Sequence, residues 1–141
     1  MIRGTITHPD VIAALARAGH KSTVLITDIH YAAATCVGPN ARTVFLNLTA
    51  GKPTIPEVLQ AVQATVVVEH ATLMQPSADA LPSPLQDHIA GLLRQPVEHV
   101  QREEFYALAR SRDLALAIVT GDTRRFGNVL LRLGALLDPD V

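Results

Sequence analysis

Pro9-Asp10-Val11-Ile12-Ala13-Ala14-Leu15-Ala16-Arg17-Ala18-Gly19-His20-Lys21-Ser22-Thr23-Val24-Leu25-Ile26-Thr27-Asp28 changes its period part-way along. Val11, Ile12, Leu15 and Ala18 recur at helical spacing, with Asp10 in the first turn. Gly19 is the expected left-handed stop, because glycine reaches positive φ without strain. Thr23-Val24-Leu25-Ile26 is then continuous and rich in β-branched residues. A strand buried on both faces reads that way, and this one ends near Asp28. A helix feeding such a strand points to a sheet covered by helices.

The alternation continues to the C-terminus. Thr43 to Leu48 is a second strand. Thr54-Ile55-Pro56-Glu57 fits a capping box, opening a helix through Val58, Leu59 and Val62. Thr65 to Val68 reads as a strand. Met74 to Pro84 contains Pro76, Pro82 and Pro84 and reads as a surface loop. Ser83-Pro84-Leu85-Gln86 is a second capping box, with a helix running through Leu93. Val97 to Val100 is a short strand. Glu103 to Ser111 is helical, with Phe105, Leu108 and Ala109 on one face. Leu114 to Val119 is a strand that ends at Thr120-Gly121-Asp122, and Asn128 to Leu133 is the last, stopped by Gly134. The expected fold is α/β: a three-layer α/β/α sandwich with a mostly parallel central sheet, one domain over residues 1–141.

A chain of 141 residues supports one core. Hydrophobic residues make up 48% and charged residues 18%, which excludes disorder as the main state. Lys and Arg number 12 against 13 for Asp and Glu, so the basic excess of a nucleic-acid binder is missing. Aromatic residues are 4%, with no Trp, which argues against base stacking. One cysteine, Cys36, allows neither an internal disulfide nor a Cys-based zinc site and fits a reducing compartment. The first residues lack the apolar core of a signal peptide, and no apolar run approaches the roughly 18 residues of a membrane span. A cytoplasmic protein is expected, with no membrane partner. So apolar a chain with so few rings also hints at surface buried between subunits.

In open α/β sheets ligands collect beyond the carboxyl ends of strands. Thr27-Asp28-Ile29-His30 and Thr120-Gly121-Asp122 lie at such ends, and Phe126-Gly127-Asn128 opens the last strand. His20 follows a helix stop, in a loop that exposes an imidazole, a side chain suited to acid–base work or to plain solvation. Asp28 and His30 share a side of an extended segment. With His20 they could hold a metal for hydrolysis; alternatively Asp28 only bonds loop backbone. Arg124 and Arg125 could hold an anion or be solvated. His8, His70, His88 and His99 carry no assigned role. The sequence contains no P-loop, Rossmann fingerprint or nucleophile elbow.

Gly19-His20, Asp28-Ile29-His30-Tyr31, Arg102 with Phe105-Tyr106, Thr120-Gly121-Asp122, and Phe126-Gly127-Asn128 followed by Val129 to Gly134 occur in that order. Together they resemble the D-ribose pyranase / L-fucose mutarotase family over essentially the whole chain. The C-terminal block is the most specific part, and residues 37–100 match loosely. Arg102, His30-Tyr31 and Phe105-Tyr106 lean towards the fucose-type branch. The resemblance implies a mutarotase that interconverts anomers or ring forms of a free monosaccharide, fucose-like or ribose-like. It implies no metal and no organic cofactor, and rings of eight or ten subunits. The family's acid–base histidine falls on His20 and its sugar-binding aspartate on Asp28. Arg102, Phe126, Gly127 and Asn128 fall on further sugar contacts, with His30 and Tyr31 on the rim. Mutarotation opens a hemiacetal by moving one proton off the anomeric hydroxyl and another onto the ring oxygen, work that suits a histidine. A non-catalytic monosaccharide-binding or sensing protein on the same scaffold is the alternative. The chain departs from the family pattern at Phe126, where relatives carry tyrosine, and at Phe45, where they carry aspartate.

Geometry adds a constraint. A strand rises about 3.3 Å per residue. With Thr23 to Thr27 extended, His20 and Asp28 lie at opposite ends of it, too far apart for one small sugar. The expected site therefore joins His20 of one subunit to Asp28 of another. One cavity within a single chain holding both residues would defeat that reading.

Overall fold

The structure, a computed structural model, describes residues 1–138. Its elements are α1 (Pro9–Arg17), β1 (Thr23–Thr27), β2 (Arg42–Phe45), α2 (Ile55–Gln63), β3 (Val68–Met74), α3 (Pro84–Leu92), β4 (Val97–Val100), α4 (Arg102–Ala109), β5 (Leu114–Val119) and β6 (Val129–Leu133). The strands form one six-stranded sheet in the order β2-β5-β1-β6-β3-β4. β1 and β2 run parallel to β5, and β3 runs parallel to β4. β6 is antiparallel to both β1 and β3. The reversal follows from chain length. Only residues 120–128, without a helix, connect β5 to β6, and a parallel return needs a dozen or more residues.

Successive residues of a strand point to opposite faces. Val24 and Ile26 of β1 join Val11, Leu15, Leu59 and Ile89, so α1, α2 and α3 cover one face. Leu25 joins Phe105 and Ala109 of α4, together with Tyr31 and Cys36 from the segment after β1, on the other face. The expected three layers are present. Leu108, expected on the buried face of α4, is 36% exposed; Phe105 and Ala109 hold that contact.

Several local expectations are corrected. The Thr54 box forms: Glu57 N–H donates to Thr54 Oγ1 at 3.3 Å and Thr54 N–H donates to Glu57 Oε2 at 2.9 Å. The Ser83 box forms only by half. Ser83 Oγ accepts from Gln86 N–H, but the buried Gln86 amide turns inward and donates to the carbonyls of Met74 (2.8 Å) and Phe126 (3.2 Å). Buried carbonyls need donors more than an exposed helix end does. The strand expected at 65–68 begins at Val68 and runs to Met74, because the Thr65 and Val66 amides are bound to Val62 O at the end of α2. α1 leaves through an extended Ala18, and Lys21 (φ 76°), not Gly19, takes the left-handed turn. His8 caps α1, its Nδ1 accepting from the Asp10 and Val11 amides. Among the described residues no helix is long and apolar enough to cross a membrane.

Candidate functional site

Asp28 stands one residue past β1, at the edge where β1 and β5 end together. The segment is clamped from β5. Thr120 donates to Thr27 O through both its amide (3.0 Å) and its hydroxyl (2.7 Å). Asp122 O accepts from Ile29 N–H at 2.9 Å. The Asp122 side chain is buried; it accepts from the Ile55 amide at 3.0 Å and from the Arg124 guanidinium at 2.9 and 2.7 Å. Burial alone would raise its pKa, but the Arg124 and Ile55 hydrogen bonds outweigh this and hold it below the usual carboxylate range. Thr120-Gly121-Asp122 is thus a brace joining β5, α2 and the Asp28 segment, and Arg124 is held by Asp122 rather than left to solvent.

Asp28 itself is 6% exposed. Its amide donates to Asn128 Oδ1 and its Oδ1 accepts from the His30 amide, both at 2.8 Å. Burial raises the Asp28 pKa; the His30 amide and imidazole and the Tyr31 amide offset part of that rise. Asn128 commits its oxygen to Asp28, so its N–H donors are the ones left for a ligand. These residues open onto a cavity of about 470 Å³ lined also by His30, Tyr31, Ala32, Met74, Arg102, Tyr106, Arg125 and Phe126.

Six of the eight expected site residues, all but His20 and Gly127, therefore line one cavity: Asp28, His30, Tyr31, Arg102, Phe126 and Asn128. Tyr31 contributes its ring only. Its hydroxyl donates to Cys36 O at 2.7 Å, and burial pushes its pKa far up. Phe126 sits at φ 61°, a left-handed conformation that is strained for a bulky side chain. Gly127 is a packing position: a Cβ there would meet Leu85 Cδ2 at 2.5 Å and Ile55 Cδ1 at 2.8 Å.

His20 lies elsewhere. It lines a separate cavity of about 430 Å³ with Arg17, Asn40 and Arg112. β1 lies between it and Asp28, and its five residues span about 16 Å. His20 Nε2 is 3.1 Å from Glu69 Oε2, while Glu69 Oε1 accepts from Arg132 Nε at 2.8 Å and lies 3.6 Å from Lys21 Nζ. His20, Asp28 and His30 do not converge, and among the described residues no three His, Cys, Asp or Glu side chains are placed to hold a metal ion.

The sequence assigns Tyr106, Met74 and Glu69 no place in the site, and offers Arg125 only as an anion holder or a solvated side chain. Tyr106 had a signal. Phe105 is fully buried in α4, so the next side chain, about 100° around the helix, reaches the flank. There its ring meets Tyr31 edge-on, with centroids 5.9 Å apart.

A carboxylate and a carboxamide side by side, under an arginine and aromatic rings, suit a small polyhydroxylated ligand. The oxygens and N–H groups pair with hydroxyls, and the rings pack on C–H faces. Fold and cavity together suit a sugar-handling α/β protein. The chain belongs to the RbsD / FucU transport protein family, whose model matches residues 1–136. It is 32% identical over 137 residues to D-ribose pyranase 2 of Streptomyces griseus, covering 95% of this chain and 98% of that protein. It is 30% identical over 145 residues to the human fucose mutarotase, covering 91% and 88%. Its fold is similar to that of Bacillus subtilis RbsD complexed with D-ribose (TM-score 0.82, 23% identity, 97% and 100% covered). It is also similar to that of the Streptococcus pneumoniae fucose mutarotase in complex with L-fucose (TM-score 0.78, 19% identity, 96% and 98% covered).

Proposed function

We propose that this protein is a monosaccharide mutarotase whose site is completed between subunits. The observation that carries the reading is the separation of His20 from a cavity that holds Asp28, Arg102, Phe126 and Asn128. In the proposed assembly, a ring of eight or ten subunits, His20 of one subunit faces the cavity of the next. Phe45 and Leu48, 65% and 84% exposed at the β2 edge, are apolar surface for such contacts. The free thiol of Cys36 fits a cytoplasmic setting.

Asp28 and Asn128 grip hydroxyls, Arg102 donates to sugar oxygens, and Phe126 packs on the ring. His20 moves a proton between the anomeric hydroxyl and the ring oxygen. As the anomeric O–H proton leaves and the ring oxygen gains one, the C1–ring-oxygen bond breaks and an open-chain aldehyde forms. Closure on its other face gives the second anomer, with no net change in atoms or charge. Glu69 holds His20 by its Nε2, so Nδ1 is the ring nitrogen without a hydrogen-bond partner among the described residues. Saturation-transfer NMR on equilibrated ribose and fucose tests the reading. Exchange above the buffer rate supports it; binding without exchange would favour the sensing alternative.

The chain has two tyrosines, and the Tyr31 hydroxyl is committed to Cys36 O. Tyr106 is thus the one phenol free to act in the cavity, standing in for the hydroxyl that Phe126 lacks. Tyr106→Phe is expected to lower the exchange kcat about 10²-fold, the low end of the range for one proton-handling group. Phe126→Tyr in that background should restore part of it.

Ionised Asp28 is the better acceptor for sugar hydroxyls, so sugar binding should weaken as pH falls through its raised folded pKa, above the ordinary 3.8. The sign for stability is opposite. Protonated Asp28 favours the fold below the ordinary value, and that contribution is lost as pH rises through the raised one. The pH profile of KM checks this, since Asp28→Asn should lack the acid limb.

A further inference from the structure

Beside the Asp28 cavity lies a larger one, of about 720 Å³. The two share Arg102, Arg125 and Phe126, so they are continuous around the Phe126 ring. Arg124, which also lines the larger cavity, is neutralised by Asp122. Arg102 and Arg125 are not: among the described residues neither guanidinium has a hydrogen-bond or ion-pair partner. Two unpaired guanidinium groups thus flank the aromatic residue expected to carry the sugar ring. The Ser77 and Thr123 hydroxyls, together with prolines and leucines, line the rest of the wall beside a single carboxylate, Asp79. A guanidinium fork matches carboxylate and phosphate oxygens bidentately. A neutral deoxy sugar offers such a pair hydroxyl oxygens but no anionic group.

Building on the mutarotase reading, we propose that the two cavities form one elongated site for an anionic monosaccharide. Asp28 and Asn128 hold the ring hydroxyls, and Arg125, with Arg102, receives a carboxylate or phosphate at the far end of the sugar. The backbone conformation of Phe126 places its ring at the junction. Arg125 determines specificity and takes no part in proton transfer, so the charge preference and the ring-opening chemistry are separable.

D-fucose and D-galacturonate test this, because they share one ring and differ by a methyl against a carboxylate. Calorimetric Kd is measured for both, and for D-galactose 6-phosphate, alongside anomer exchange. Galacturonate or the phosphate is expected to bind about tenfold tighter than fucose, an advantage that shrinks with added salt. Arg125→Ala should remove most of that advantage while changing the fucose Kd far less, and Arg125→Lys should restore part of it. Whichever anion binds tighter identifies the group. Equal Kd values for the neutral and anionic sugars, or an equal loss of both in Arg125→Ala, would overturn the proposal. Absence of exchange with every sugar would instead overturn the mutarotase reading, and the Kd ratio would still decide the anion preference.

Discussion

At sugar concentrations well below KM, His20→Ala and Asp28→Asn proteins are each expected to lose nearly all anomer exchange, and a mixture of the two, unfolded and reassembled together, is expected to regain part of it. Each variant keeps one half of the site intact. In a ring where His20 of one subunit faces the cavity of the next, random mixing gives about one site in four with both native residues. Recovery should therefore approach about a quarter of the native rate per site. A site made within one chain predicts no recovery, because every chain in the mixture carries one lesion. NMR exchange before and after reassembly separates the outcomes.

The expected loss is large because the two residues do different work. A general acid–base group contributes about 10²–10⁴-fold, so His20→Ala should lower kcat by that order with little change in KM. His20 is exposed and, among the described residues, held by Glu69 alone, so alanine there costs little stability. Asp28→Asn acts chiefly on KM. It leaves the backbone hydrogen bond from the Asp28 amide to Asn128 in place, so the loop is expected to survive.

Much of this was legible in the sequence, unevenly. β5 is legible at its full bounds and β1 to within a residue, because short β-branched apolar runs between turn residues mark strands buried on both faces. The position of Asp28 followed from the end of β1. The reversed direction of β6 was not legible from periodicity, which is the same for parallel and antiparallel strands; connection length held that information. The start of β3 was misplaced because Val66 and Val67 look like strand, yet the end of α2 claims their neighbourhood through Val62 O. Glu69 could not be found, since its contact with His20 joins residues 49 apart in sequence through strand pairing. Arg125 looked like a solvated twin of Arg124, and only three-dimensional pairing with Asp122 tells them apart.

Gly121→Ala is expected to be the most destabilising small substitution in the brace, whereas Gly91→Ala should stabilise. The backbone of Gly121 is not left-handed, so the effect is steric. A Cβ there would overlap the carbonyl oxygens of Lys52 and Thr49. These are backbone atoms, fixed further by Gly121 N–H donating to Pro53 O at 3.0 Å and Gly51 N–H donating to Gly121 O at 2.5 Å. No rotamer change can relieve the overlap, so the cost lies at or beyond the top of the usual overpacking range of about 1–3 kcal/mol. At roughly 3 °C per kcal/mol for a chain of this size, Tm should fall by about 10 °C. Gly91 lies near the end of α3 with nothing within 4 Å of an added Cβ, so alanine should gain about 0.5–1 kcal/mol through helix propensity alone. The two substitutions add the same atom, so opposite shifts in thermal melts isolate the site. The Gly121 variant should also lose sugar binding before it unfolds. Displacing residue 121 moves Thr120 and Asp122, whose hydrogen bonds to Thr27 O and from Ile29 N–H hold Asp28 in place.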